Sequence, residues 1–271
     1  MFENCLKNVR KNKPLIHSIT NYVTANDCAN ILLALGAFPI MADAPEEAAE
    51  ITDMSAGLCI NLGTLSRDRA EAMLRSGKCA NEKGVPVVLD PVGVAASGFR
   101  TETAKKLLNE VKFNLIRGNL SEIKALAGLQ KSESGVDSKE RINEDNLPRV
   151  IDIAKTLSRK SGALVSITGA IDIVTDGERT YCIRNGHPDM AKVTGTGCQL
   201  TTVITAFLSA NKENMLEAAT AAICAYGFAG EKARGRLKPE DGNASYRNFI
   251  IDAIYNLTEE ELQKGAKYEM R

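Results

Sequence analysis

Short, continuously apolar segments alternate with amphipathic segments along most of the first 170 residues of this 271-residue chain. The apolar runs have the length of strands that are buried on both faces, and the amphipathic segments have helical spacing. This alternation is typical of a mostly parallel sheet that is covered by helices on both sides. We predict strands at Leu15–Ile19, Pro39–Met41, Leu58–Leu62, Val85–Leu89, Phe113–Ile116 and Ala163–Ile167.

The same patterning predicts helices near residues 25–35, 46–54, 67–83, 101–110, 120–127 and 147–159. A β-hairpin is expected next, because Asp176-Gly177 separates two β-rich runs, Asp172–Thr175 and Thr180–Ile183. Further helices are expected at 198–210, 213–234 and 244–263. No linker rich in Pro or Ser divides the sequence, so we interpret residues 1–271 as one α/β domain.

Charge and cysteine usage exclude several classes of protein. The 34 basic and 34 acidic side chains cancel, so no overall field favours nucleic acid or an anionic membrane. No apolar run approaches the roughly 20 residues of a membrane span, and the N-terminus lacks the plan of a signal peptide. The seven cysteines include no Cys-x-x-Cys pair, which argues against a disulfide framework or a zinc site. We therefore expect a cytoplasmic protein.

A polar and charged stretch, Lys131–Asn146, is longer than a usual connection between a helix and a strand. We interpret it as a surface insertion. An active-site lid is the alternative interpretation of the same composition.

The segment Thr194-Gly195-Thr196-Gly197-Cys198 opens an apolar helical run that extends to Ala210. A glycine turn at the N-terminus of a helix gathers free N–H groups at the positive end of the helix dipole, and this arrangement suits a phosphoryl group. The segment matches neither the P-loop nor the dinucleotide fingerprint. Cys198 lies where the donors converge, and a helix N-terminus is expected to lower the pKa of its thiol. The simpler alternative is a helix that merely begins with glycines.

Polar side chains follow several predicted strands, where ligands of parallel sheets bind. Asp90 follows one strand, and Arg117 and Asn119 follow the next, with Glu122 one turn into the following helix. Thr168 follows a third strand. Each residue also has a structural alternative. Asp90 could start a turn before a proline, and Asn119 with Glu122 could form a capping box.

Together these residues suit phosphoryl transfer from a magnesium nucleotide. Magnesium takes one or two protein carboxylates, and we predict that Asp90 and Glu122 supply them. The planar guanidinium of Arg117 matches phosphate oxygens. The N–H groups of 195–198 would stabilise the negative charge of the transferred group, and an alcohol acceptor would lie near Cys198.

Seven segments of the chain, in this order, resemble the hydroxyethylthiazole kinase family of thiamine salvage. They cover roughly residues 14–210 and are Pro14–Asn21, Leu33–Ala37, Met41–Asp43, Asn61–Leu65, Leu89–Gly93, Ile116–Asn119 and Thr194–Cys198. The resemblance implies a ribokinase-like three-layer α/β/α fold. It also implies ATP-dependent phosphorylation of the hydroxyl of 4-methyl-5-(2-hydroxyethyl)thiazole.

The resemblance further implies nucleotide contacts at Arg117 and Thr168 and magnesium at Asp90 and Glu122. We add Asn119 and Gly197 as ATP-binding candidates, since Asn119 follows a predicted strand and Gly197 lies in the glycine turn. These assignments make Mg²⁺ the expected cofactor and ATP the expected phosphoryl donor.

The resemblance places the thiazole against Met41 and Gly195, with Asn21 and Val23 as neighbours. The thioether of Met41 would suit a small heteroaromatic ring. Family members are homotrimers with sites at subunit interfaces, so Asn21 and Val23 are expected to act from a neighbouring chain. Cys198 would act on the acceptor hydroxyl, as a base or by orienting it.

Three alternatives remain open from the sequence. A kinase of the same fold for hydroxymethylpyrimidine or pyridoxal would be expected to carry Asp in place of Cys198. A thiol enzyme would use Cys198 as a nucleophile, but the two histidines, His17 and His187, are poorly placed as its base. A non-catalytic binder of nucleotide or thiazole could dispense with several of the polar residues.

Overall fold

In the computed structural model, which describes residues 2–128 and 141–271, the described strands form one sheet in the order β2-β1-β3-β4-β5-β6-β7-β8-β9. Strands β1 to β6 pair with one another in parallel. The pairs β6–β7, β7–β8 and β8–β9 are antiparallel. Their bounds are β1 Leu15–Ile19, β2 Phe38–Ile40, β3 Gly57–Asn61, β4 Val87–Asp90, β5 Leu115–Asn119, β6 Leu164–Thr168, β7 Asp172–Thr175, β8 Thr180–Ile183 and β9 Tyr268–Met270.

Helices cover both faces of this sheet, which gives the three-layer α/β/α arrangement expected from the sequence. Their bounds are α1 Phe2–Asn12, α2 Ala25–Leu35, α3 Ala48–Asp53, α4 Arg67–Lys83, α5 Gly98–Glu110, α6 Leu120–Ala127, α7 Leu147–Ser161, α8 Thr196–Ala210, α9 Met215–Arg236, α10 Asn243–Asn256 and α11 Glu259–Gly265. Short 3-10 helices span Pro188–Lys192 and Lys212–Asn214.

Two hydrophobic clusters fill the space between the layers. Helices α1, α2 and α8–α11 pack on one face of the sheet, and α3–α7 pack on the other. Helix α8 is buried at every position from Gln199 to Leu208, as its largely apolar sequence predicts. It packs on β1, β3 and β4.

The predicted β/α alternation is confirmed, and the six predicted parallel strands appear with ends displaced by no more than three residues. The hairpin strands have the predicted bounds, and Gly177 in their turn has a φ of +94°. The helix predicted at 244–263 is wrong, because the chain leaves the helical conformation at Leu257 and starts α11 after Thr258. The Thr258 hydroxyl accepts the N–H of Glu261 and so begins a new helix there.

Part of the predicted insertion at 131–146 is packed into the fold. Ile142 is buried, and a Cβ added at Gly169 would lie 2.9 Å from its Cδ1 atom. Residues 131–140 lie outside the described part of the chain, so the choice between insertion and lid stays a prediction. No helix within the described ranges is both long enough and apolar enough to cross a membrane.

Candidate active site

The parallel strands bring the predicted polar residues to one edge of the sheet. Strands β3 and β4 pair so that Asn61 lies opposite Asp90, the last residue of each strand. Strands β5 and β6 end with Asn119 opposite Thr168. Helix α8 packs on this part of the sheet, and its first turn reaches the same edge, where Thr201 contacts Asp90.

The glycine turn at the start of α8 requires glycine at two positions for different reasons. Gly195 has a φ of +87°, and a Cβ added there would lie 2.5 Å from Cγ2 of Thr24. A Cβ added at Gly197 would lie 2.7 Å from Nη1 of Arg117. The first N–H groups of α8 have no acceptor within the helix, and the guanidinium of Arg117 lies beside them. This corner of the site suits an anion.

The guanidinium of Arg117 lies between Thr168 and Asp90 at the carboxyl ends of the strands. Its Nη2 donates to the Thr168 hydroxyl at 2.6 Å, and its Nη1 lies 3.7 Å from Asp90 Oδ2. Only 12% of its side chain is exposed, so its charge acts in a poorly solvated environment. Of the predicted nucleotide residues, Thr168 and Gly197 therefore both lie next to the guanidinium of Arg117.

Asp90 is fully buried, and its two carboxylate oxygens differ. Oδ2 accepts the side-chain amide of Asn61 at 2.9 Å and the Thr201 hydroxyl at 2.9 Å. Oδ1 is buried and has no hydrogen-bond partner among the described residues. Burial raises the pKa of Asp90 to about 6, because the charge of Arg117 only partly offsets desolvation and Glu122 adds a like charge.

Glu122 confirms the capping-box alternative. Its Oε2 accepts the N–H of Asn119 at 2.8 Å, and the Asn119 side chain accepts the N–H of Glu122 at 2.9 Å. Its Oε1 accepts the N–H of Gly93 at 3.0 Å, in the loop that follows Asp90. This bond fixes Glu122 close enough to Asp90 for their charges to interact.

The two carboxylates fit a magnesium ion that is completed by water and phosphate. Asp90 Oδ1 is an orphaned buried acceptor, and each oxygen of Glu122 keeps acceptor capacity beyond its one N–H bond. In the described part of the chain no three His, Cys, Asp or Glu side chains form a metal cluster. Magnesium does not require one, because one or two carboxylates are its usual protein ligands in sites that bind nucleotides.

Cys198 is a neutral thiol held by two amides. Its sulfur accepts the side-chain N–H groups of Asn21 and Asn61, both at 3.3 Å. Burial raises the pKa of Cys198 and the charge of Asp90 raises it further, so the expectation that the helix N-terminus lowers this pKa is wrong. The N-terminal position in α8 would favour the thiolate, but these two effects outweigh it.

Asn61 is the central residue that sequence reasoning missed. It is 1% exposed and bonds Asp90, Cys198 and Asn21. Like Asp90, it is the last residue of its strand, but its side chain is uncharged. The sequence signal for Asn61 was a polar amide at the carboxyl end of β3, next to the strand that ends in Asp90.

A cavity of about 510 Å³ extends from the glycine turn. Arg117, Thr168 and Gly197 line its inner end, and Leu200 and Ile223 contribute an apolar wall. The cavity thus joins an anion site to a surface suited to a flat apolar group.

Charged groups line the same cavity farther from the turn. The guanidinium groups of Arg141 and Arg184 are among them, as is the buried Asp172. Burial raises the pKa of Asp172 to about 7, and a bond from the Gly169 N–H opposes that shift. His187 accepts the N–H of Asp189 and caps a 3-10 helix, and it also lines the cavity.

The predicted acceptor residues divide into two groups. Asn21 is buried against Cys198 of its own chain, so the expectation that Asn21 acts from a neighbouring chain is wrong. Gly195 belongs to the glycine turn. Met41 and Val23 are 37% and 57% exposed and lie on loops at the β2 side of the sheet. Several other large apolar side chains are exposed there or elsewhere on this half of the chain, namely Tyr22, Leu33, Phe38 and Met54.

Comparisons with known proteins agree with this geometry. A sequence model of the Hydroxyethylthiazole kinase family matches residues 6–260. A protein of Clostridium acetobutylicum named hydroxyethylthiazole kinase is 54% identical and covers 99% of both chains. The structure of hydroxyethylthiazole kinase from Pyrococcus horikoshii is 35% identical, has a TM-score of 0.88, and covers 100% of this chain and 98% of that one.

A ribokinase-like superfamily protein from Enterococcus faecalis shares the fold, with a TM-score of 0.62, 12% identity and 95% coverage of each chain. The fold is the ribokinase-like α/β/α architecture, and the matching relatives define this chain as a kinase. The chain belongs to the hydroxyethylthiazole kinase family.

Proposed function

We propose that this protein transfers the γ-phosphoryl group of ATP to the hydroxyl of 4-methyl-5-(2-hydroxyethyl)thiazole. The observation that carries the proposal is that Arg117 lies against both the glycine turn and Asp90, at the point where Arg117 and Gly197 line the cavity. Family membership supports the choice of acceptor. The reaction would serve thiamine salvage in the cytoplasm, within one kinase domain formed by residues 1–271.

The nucleotide would lie in the cavity with its phosphates toward the glycine turn. Arg117 and the N–H groups at 196–198 would stabilise the charge of the transferred group, and Thr168 would hold the guanidinium in place. Asn119, the last residue of β5, lies opposite Thr168 and would be a further nucleotide contact. Asp90 and Glu122 would hold Mg²⁺, which supplies charge neutralisation at the phosphates when it is bound.

The acceptor would lie on the other side of Cys198 from the nucleotide. Asn21 and the backbone of Gly195 would contact the alcohol, and Met41 and Val23 would cover the thiazole ring. Because the thiol is neutral, Cys198 would orient the hydroxyl by hydrogen bonding instead of removing its proton. A loose phosphoryl-transfer transition state needs little help from a base.

The exposed acceptor residues support a homotrimer with sites at subunit interfaces. Val23 and Met41 are apolar and exposed, and contact with a second subunit would bury them and close the acceptor side. Sedimentation equilibrium of the purified protein is expected to give three times the 29.2 kDa chain mass. A monomeric mass at micromolar concentration would contradict this assembly.

Replacing Cys198 by Ala is expected to lower turnover by about tenfold while magnesium-ATP affinity stays unchanged. The reason is that the thiol orients the acceptor and does not contact the nucleotide in this account. Because burial and the charge of Asp90 raise the pKa of the thiol from its ordinary value, the wild-type rate is expected to show no thiol ionisation step near neutral pH. Steady-state kinetics around neutral pH measure both effects, and unchanged turnover in the variant would remove Cys198 from the mechanism.

The proposed function is tested by following ADP release with a panel of vitamin-precursor alcohols. Hydroxyethylthiazole is expected to give the highest kcat/KM, with no turnover when magnesium is removed. Preference for pyridoxal or hydroxymethylpyrimidine would assign the other kinase specificity. Tight ligand binding without phosphate transfer would indicate a binding protein.

A further inference from the structure

The side chain of Asn61 joins the two halves of the site. Its Nδ2 lies 2.9 Å from Asp90 Oδ2 and 3.3 Å from Cys198 Sγ. Its Oδ1 accepts the side-chain amide of Asn21 at 3.1 Å and the backbone N–H of Gly63 at 2.9 Å. One buried amide thus bonds the metal-side carboxylate, the thiol and an acceptor-side amide.

The orientation of this amide is determined by its partners. The backbone N–H of Gly63 can only donate, so the atom that it meets must be the oxygen of Asn61. The nitrogen then faces Asp90 and Cys198 with its two hydrogens. If the amide were flipped, its oxygen would face the Asp90 carboxylate and its N–H groups would face the N–H of Gly63.

The surroundings leave the amide little freedom to move. A Cβ added at Gly63 would lie 2.9 Å from Asn61 Oδ1 and 2.9 Å from Asn21 Nδ2. Glycine at 63 therefore lets the backbone approach both amides closely. Asn61 is the last residue of β3, so its backbone is held by the sheet.

We propose that Asn61 is a positioning residue for the transfer step, which rests on the function proposed above. Its two N–H bonds hold the Cys198 thiol and the Asp90 carboxylate at a fixed separation. The acceptor hydroxyl and the phosphoryl group would thereby be kept in line. Asn61 acts through its neighbours and does not itself contact the reacting atoms.

The test uses Asn61→Asp, which keeps the shape of the side chain but replaces both N–H donors by a carboxylate oxygen. The kcat is expected to fall by about 10²-fold, with KM for ATP within about threefold of wild type. The magnesium concentration for half-maximal rate is also expected to change, because a new charge adjoins Asp90. Asn61→Ala gives a second variant that removes the donors without adding a charge.

A second measurement does not depend on kinase activity. The rate of iodoacetamide alkylation at Cys198, located by mass spectrometry, is expected to be about tenfold lower in Asn61→Asp at the same pH. The cause is the loss of one N–H that favours the thiolate and the gain of a negative charge beside it. Cys198→Ala shows which modified peptide belongs to this site.

Asn114→Ala is the matched control, because Asn114 is also a structural amide but lies at the opposite edge of the sheet. Its Oδ1 accepts the N–H of Val87 at the start of β4. This variant is expected to lower the melting temperature and leave both kcat and the alkylation rate unchanged.

One outcome is slower alkylation in Asn61→Asp while the wild-type protein fails to phosphorylate the thiazole alcohol. That pair of results would support the role of Asn61 in placing the thiol, and it would overturn only the proposed function. Unchanged alkylation and kcat within twofold of wild type would overturn the role of Asn61. A rate loss that only parallels the melting temperature in both Asn61 variants would also overturn it.

Discussion

Asp90→Asn is expected to lower the kcat for phosphate transfer by at least about 10³-fold. The substitution keeps the size of the side chain but removes the charge that would hold magnesium through the free Oδ1 atom. It also removes the only carboxylate that the Arg117 guanidinium approaches within 4 Å in the described part of the chain. The folded state is expected to survive, since a neutral group replaces a buried carboxyl whose pKa is raised to about 6.

Steady-state assays at increasing magnesium concentration measure this effect, with circular dichroism as the check on folding. Asp68→Asn is the control, because Asp68 lies exposed in the first turn of α4. It is expected to keep wild-type kinetics. A folded Asp90→Asn enzyme with kcat within tenfold of wild type would remove the carboxylate from the mechanism.

Arg117→Met is expected to lower kcat/KM for ATP by about 10³-fold. The substitution removes the donors that lie against Gly197 and leaves the apolar part of the side chain. It also leaves Asp90 buried without its compensating charge, so the pKa of Asp90 should rise above its value of about 6. The wild-type pH–rate profile would then shift toward higher pH in the variant.

Calorimetric titration with magnesium-ADP separates the loss of nucleotide binding from the loss of catalysis in Arg117→Met. Arg75→Met is the control, since Arg75 pairs with Glu71 on the outer surface of α4. Its kinetics are expected to match wild type. If Arg117→Met binds and turns over ATP normally, the anion site must lie elsewhere.

The sequence predicted the main layers and the proximity of Asp90 and Arg117 at the strand ends, because both follow local rules. Continuous apolar runs indicated buried parallel strands, and polar residues at strand ends indicated the binding edge, which located Asp90 and Arg117. The paired glycines at 195 and 197 indicated a turn that brings backbone donors to a ligand. Each of these signals lies within a few residues of the chain.

Features that depend on distant neighbours could not be found in this way. The place of Cys198 at the start of α8 predicts a lowered pKa for its thiol, but burial and the charge of Asp90 raise that pKa. Asn61 is one of several polar residues at strand ends. Only its contacts with Asn21 and Cys198, which are distant in sequence, indicate that it belongs to the site. The edge strand β9 forms by pairing with β8, which lies more than eighty residues earlier.

We propose that the N–H groups of the glycine turn and the Arg117 guanidinium together hold the phosphoryl group during transfer. A crystal structure with magnesium, ADP, aluminium fluoride and hydroxyethylthiazole would show whether they do. We predict a planar fluoroaluminate within hydrogen-bond distance of the N–H groups at 196–198 and of Arg117, in line with the thiazole hydroxyl. A fluoroaluminate bound away from this turn, with the turn closed against protein, would contradict the claim.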